Sequence, residues 1–78
     1  MTNRSKELDQ LRIIVNGIRK CAGRAEIQDL SPAQKLQQDL QLDSLELAEM
    51  TVLIESKFGV DVFEDGIVIT IQDVLDKI

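Results

Sequence analysis

The stretch "LQLDSLELAEMTVLIESKF", residues 40–58, carries more apolar side chains than one helix face can bury. Advancing about 100° per residue from Leu45, the side chains of Leu47, Met50, Thr51, Ile54 and Phe58 fall between roughly 140° and 240°, a stripe wide enough to meet a core. Leu45 and Val52 fall on the opposite side, alongside Glu49 and Ser56 and flanked by Glu46 and Glu55. The spacing predicts a helix over about 44–58 that buries the first set and leaves Leu45 and Val52 in water. Asp43 or Ser44 can cap its start, and Glu46 three places after Asp43 can complete a capping box. Gly59 offers a left-handed stop.

Working outward, Leu8, Leu11, Val15, Ile18 and Ala22 recur at spacings of three and four, which predicts a first helix over about 4–22 ending before Gly23. Residues 23–43 form a long connection, pinned by Leu30, Leu36, Leu40 and Leu42, in which Ser31-Pro32 can open one helical turn. Near the end, Thr70 and Asp73 mark a last helix over about 71–78, with Ile71, Val74, Leu75 and Ile78 on one face. The segment "VDVFEDGIVIT", residues 60–70, alternates around Asp65-Gly66 as a hairpin would. A lone two-stranded hairpin is marginal in water, so an irregular loop or a short third helix over 60–69 is expected instead. The fold class is therefore all-α, a small up-and-down bundle of three to four helices in one domain, 1–78. Its expected core is Leu11, Val15, Ile18, Leu47, Met50, Ile54, Phe58, Val74, Leu75 and Ile78.

A chain of 78 residues holds one modest core, worth roughly 3 to 5 kcal/mol. With only Phe58 and Phe63 as aromatics, that core is built of Leu, Ile and Val. The net charge of −5 divides into six basic residues and two acids before position 25, or +4, and three lysines and twelve acids after it, or −9. An acidic surface repels phosphate backbones and anionic membranes, so neither nucleic acid nor membrane insertion is expected, and basic proteins are the natural partners. The lone Cys21 cannot close an internal disulfide and reads as a partly buried core residue. With no apolar run of membrane length and no leader-like segment, a cytoplasmic, monomeric protein is expected. No histidine and no second cysteine stand ready for a metal.

Ser44 lacks the partners of a nucleophile. With no histidine there is no Ser-His-Asp triad. A Ser-Lys dyad would need Lys35 or Lys57 desolvated beside Ser44, and Lys57 is excluded, lying thirteen residues along the same helix, roughly 20 Å away. The chain is not expected to be an enzyme. Ser44 is either a simple N-cap or a site that another enzyme modifies, since the free N–H groups and dipole of a helix start accommodate a phosphate ester. The exposed Leu45 and Val52 are either scattered surface hydrophobes or a docking strip whose surrounding carboxylates steer basic partners. Between positions 39 and 65 eight acids face one lysine.

The window "LQQDLQLDSLELAEMTVLIESKFGVDV", Leu36 to Val62, resembles the acyl carrier proteins of the phosphopantetheine-attachment family. It shows the acidic "DL", a two-residue gap, the "DSL" attachment motif and an apolar-acidic helix ending in "F". The closing "TIQDVLDKI" is similar as well, so the likeness covers nearly the whole chain. The resemblance implies that Ser44 receives a 4′-phosphopantetheine arm from coenzyme A, attached by a phosphopantetheinyl transferase that uses magnesium. The arm's thiol would then hold acyl groups as thioesters for fatty-acid, lipid or polyketide-type biosynthesis. It implies that Asp43 helps present the site. Leu45, Glu46, Glu49, Val52 and Glu55 would dock acyl-loading and acyl-processing enzymes through their basic patches. A saturated chain is expected to slip between the helices. Three departures point to a specialised, discrete carrier: Gln41 where a glycine is usual, a segment about two residues shorter between Phe58 and Ile71, and a basic first helix. An aminoacyl, D-alanyl or peptidyl carrier is the nearest alternative, and an unmodified helical adaptor the alternative of another class.

Overall fold

The apolar repeat of the first segment winds into α1, Ser5–Cys21, which buries Leu11, Val15 and Ile18. The computed structural model describes residues 5–63 and 68–78. Helix α1 closes in a Schellman motif around Gly23, whose φ of 79° suits a residue without a Cβ. The Gly23 N–H donates to Lys20 O at 3.0 Å, and the Arg24 N–H donates to Arg19 O at 2.9 Å. The motif turns the chain back so that the Arg24 side chain points toward the start of the second helix.

Helix α2, Ser44–Phe58, buries Met50 and Ile54 against α1 and stops at Gly59, whose φ is 75°. Helix α3, Ile71–Leu75, is one short turn and a half, with the last three residues outside it. Thr70 caps it through a reciprocal box: the Asp73 N–H donates to Thr70 Oγ1 at 3.2 Å, and the Thr70 N–H donates to Asp73 Oδ2 at 3.0 Å. The backbone bond from Thr70, and after it that from Ile69, hold the Asp73 carboxyl below its usual pKa of 3.8.

The long connection is fastened at both ends. The buried Asn16 side chain accepts from the Ile27 N–H at 2.7 Å and donates to Ile27 O at 3.0 Å, satisfying both backbone groups of one loop residue. Farther on, Leu30, Leu36, Leu40 and Leu42 enter the core. Residues 32–36 zip antiparallel to 69–72: the Leu36 N–H donates to Ile69 O at 2.8 Å, Ile71 N–H to Gln34 O at 3.0 Å, and Gln72 N–H to Pro32 O at 2.9 Å. Among the described residues this ladder is a single bridge, Lys35 with Thr70, and not a strand.

Several expectations need correction. Ser31-Pro32 opens a hydrogen-bonded turn, with Gln34 N–H to Ser31 O at 3.1 Å, and no helix, because the Gln34 carbonyl is taken by Ile71. Cys21 is exposed, since its place on α1 is rotated away from the Leu11–Val15 stripe. Leu47, Phe58 and Ile78 are only half-buried; the loop leucines and Val62 occupy the centre instead. No helix is described at 60–63 or 68–69, while residues 64–67, with the Asp65-Gly66 pair around which a hairpin would alternate, lie outside the described residues. Gly17, in the middle of α1, has open space where a Cβ would stand; its lack of a side chain costs the helix about 0.5–1 kcal/mol relative to alanine.

Candidate functional site

Asp43 caps α2 in an extended conformation, with φ −86° and ψ −179°. Its Oδ1 accepts from the Glu46 N–H at 2.8 Å, and its own N–H donates to Glu46 Oε1 at 3.0 Å. The capping job is thus complete without Ser44. Ser44 is the first helical residue, exposed, and its hydroxyl has no hydrogen-bond partner among the described residues. The helix end also already holds two carboxylates, so the electropositive character expected there is largely spent on Asp43 and Glu46.

Glu46 corrects the expectation of a docking residue. It retains only 7% exposure, because Arg24 reaches over it from the end of α1: Arg24 Nη2 donates to Glu46 Oε1 at 2.8 Å. Glu46 Oε2 is buried with no hydrogen-bond partner. The same guanidinium donates through Nη1 to Gln41 O at 2.6 Å, and Arg19 Nη1 donates to Leu40 O at 2.6 Å. Arg19 of α1 and Arg24 just past its end therefore clamp the turn that delivers Ser44. Gln41, the residue standing where a glycine is usual, adopts the glycine-like conformation all the same, with φ 60°. It is the single non-glycine residue with positive φ among those described.

The other expected docking residues are outside. Leu45 is 75% and Val52 65% exposed, and Glu49 and Glu55 are exposed without an ion pair among the described residues. On the other flank of Ser44 a depression of about 490 Å³ is lined by Ser44, Leu47, Ala48, Thr51, Asp61 and Phe63. Leu47 and Phe63 also wall a second one of about 340 Å³, which reaches Lys35, Val68 and Ile69. The two share Leu47 and Phe63 and make a largely apolar surface track that begins beside Ser44.

Among the described residues no group of His, Cys, Asp and Glu is placed to hold a metal, and no helix is long and apolar enough to cross a membrane. The roles of Arg19, Arg24 and Gln41 escape sequence reasoning. Their one signal is the excess of basic residues before position 25, which reads there as surface charge.

Neither a curated protein nor a solved structure matches the chain. The sequence pattern of the family described as "Phosphopantetheine attachment site" matches residues 12–76, from within α1 to just past α3, and takes in Ser44, the helix it begins and the clamped loop before it. With an all-helical fold and a free hydroxyl at the head of α2, the chain belongs to this phosphopantetheine attachment family, as a carrier of covalent 4′-phosphopantetheine.

Proposed function

We propose that Ser44 Oγ is the atom that bears the arm, and that the chain is a discrete acyl carrier which holds acyl intermediates as thioesters while other proteins supply the catalysis. The observation that carries the reading is that Ser44 is exposed at a helix head and does no structural work, since Asp43 does the capping. When bound, the arm supplies the thiol on which the thioester forms. Asp43 fixes the direction of the first turn and so aims the hydroxyl outward. Leu45, Glu49, Val52 and Glu55 offer a small apolar strip among carboxylates, which suits fast, weak docking of basic partners and repeated release. Tethering keeps the cargo at high effective concentration near each enzyme in turn. The apolar track past Leu47 and Phe63 favours an acyl over an aminoacyl cargo. The same reading puts the work of the carrier in the cytoplasm.

Intact mass after incubation with coenzyme A and a broad-specificity phosphopantetheinyl transferase tests the assignment. The wild type gains one phosphopantetheine arm. Ser44→Ala, which leaves the Asp43–Glu46 box untouched, folds and gains none. A wild type that stays unmodified would return the chain to the unmodified-adaptor reading. Loading the holo form with fatty acids against amino acids, each with its own ligase, separates the two cargo classes.

A further inference from the structure

The Ser44 hydroxyl has no hydrogen-bond partner among the described residues, so its place is set by the backbone on either side of it. Before it that backbone is strained. Gln41, three residues earlier, is held at φ 60°, a conformation that a non-glycine residue keeps only where its surroundings over-determine it. After it, two residues later, stands the buried Glu46 carboxylate. A buried ion pair is a poor device for stability, because desolvation consumes most of the attraction; its better use is to select one arrangement among several.

Arg24 holds both sides at once. Its Nη1 donates to Gln41 O, and its Nη2 donates to Glu46 Oε1, the oxygen that also accepts from the Asp43 N–H. A guanidinium is a planar fork, so two acceptors bonded to it keep a fixed separation. Here those acceptors bracket the serine in sequence. The Arg24 backbone is anchored in turn, its N–H on Arg19 O at 2.9 Å. Arg19 adds the Leu40 carbonyl and, through Nε, the Ala25 carbonyl at 3.1 Å.

Arm attachment gives that grip a purpose. Ser44 Oγ forms a bond to the phosphorus of coenzyme A that carries the pantetheine. The pyrophosphate P–O bond breaks, adenosine 3′,5′-bisphosphate leaves with the electron pair, and the hydroxyl proton passes to a base that the transferase supplies. Attacking and leaving oxygens must stand roughly in line, so positioning governs the step, and a misplacement of about 1 Å costs about a hundredfold in rate.

We infer that Arg24 is a positioning residue for arm attachment: by gripping Gln41 and Glu46 together, it holds the first turn of α2 in the one arrangement that presents Ser44 Oγ to the phosphate. The inference rests on the attachment role given above to Ser44.

The test follows single turnovers of arm transfer from coenzyme A with a broad-specificity phosphopantetheinyl transferase in excess. The carriers are the wild type, Arg24→Met, Arg24→Lys and Asn16→Ala. The rate at saturating transferase reports the transfer step, and the half-saturating concentration reports docking. Arg24→Met, of similar length but without donors, slows the saturated step about tenfold, equivalent to about 1.4 kcal/mol, with the half-saturating concentration within about twofold. Arg24→Lys keeps the charge and loses the fork, and slows the step about fivefold. Asn16→Ala unfastens Ile27 and not the serine turn; it lowers the urea midpoint and leaves both transfer constants within about twofold. Amide hydrogen exchange at Asp43 and Glu46 reads the grip without the transferase. It rises in both Arg24 variants beyond their change in global stability, and does not in Asn16→Ala.

A saturated rate within about twofold of wild type in either Arg24 variant overturns the inference, in Arg24→Lys because charge alone would then suffice. Arg24→Lys decides by itself if Arg24→Met does not fold. A change confined to the half-saturating concentration would make Arg24 a docking residue and overturns the inference as well. So does an equal slowing in Asn16→Ala, which would mark a general loss of stability, or a slowing without faster exchange at the cap. If the wild type takes no arm at all, the attachment role of Ser44 fails first; an arm gained at an unaltered rate in the variants sinks the role of Arg24 alone.

Discussion

Arg24 Nη2 stands 2.8 Å from Glu46 Oε1, and through that contact the end of α1 fixes the beginning of α2. The Schellman motif at Gly23 determines where Arg24 can reach, and the capping box determines where Glu46 must sit. Between them lies the Gln41 carbonyl, held by the same guanidinium at 2.6 Å. One side chain thus ties a helix end, a strained turn and a capping carboxylate into a single frame around Ser44.

Removing that side chain should be felt as a stability defect before it is felt as anything else. Arg24→Ala removes the one charged donor to the Glu46 carboxylate and the hydrogen bond that ties the Gln41 carbonyl to the same side chain. A loss of about 2 kcal/mol is expected, the usual scale for a hydrogen bond to a charged group with its partner left behind. Urea unfolding measures it, and a variant within about 0.5 kcal/mol of wild type, the ordinary range for surface changes, would show that the contact contributes little.

Gln41 offers the opposite outcome. A non-glycine residue with φ near 60° pays roughly 1–2 kcal/mol of backbone strain, and glycine would relieve it while adding roughly 0.5–1 kcal/mol of unfolded-state entropy. Gln41→Gly should therefore stabilise the fold slightly, by about 0.5 kcal/mol, and Gln41→Val should destabilise it, since a β-branched residue tolerates that φ least. The two urea midpoints moving in the same direction would contradict the strain argument.

Asp73 should leave a mark at acid pH. Backbone bonds from Thr70 and Ile69 lower its pKa in the folded state below the ordinary 3.8. A depressed carboxyl contributes stability that is complete above its unfolded pKa and is lost as pH falls through the lower folded value. The stability difference between wild type and Asp73→Asn is accordingly largest above about pH 4, near the carboxylate's ordinary pKa, and shrinks below it. A difference that stays constant across the acid range would mean that the charge has no part in the cap.

The features legible in the sequence are those set within one helical turn. Asp43 with Glu46, and Thr70 with Asp73, are three residues apart, and local geometry alone closes both boxes. The exposure of Leu45 and Val52 follows from helical phase in the same way. Arg24 and Glu46 are 22 residues apart, and Asn16 and Ile27 eleven. Nothing in periodicity says that a loop will fold back so that these meet. Glu46 was misplaced for this reason: its angular position marks it as a flank of the exposed strip, and only the tertiary approach of Arg24 covers it. Gln41 was visible as a departure from the family pattern, but the sequence does not say whether the turn or the residue gives way. The backbone keeps its glycine-like path and the glutamine bears the strain.

The rungs between residues 32–36 and 69–72 have a further mechanical meaning. A helix as short as α3 does not persist unsupported, so its existence is on loan from the loop through Leu36, Gln34 and Pro32. Ile69, which one of these rungs ties to Leu36, and Lys35, which bridges to Thr70, are also the far wall of the track leading from Ser44. Loosening these rungs would therefore loosen that wall and the carboxyl-terminal helix together.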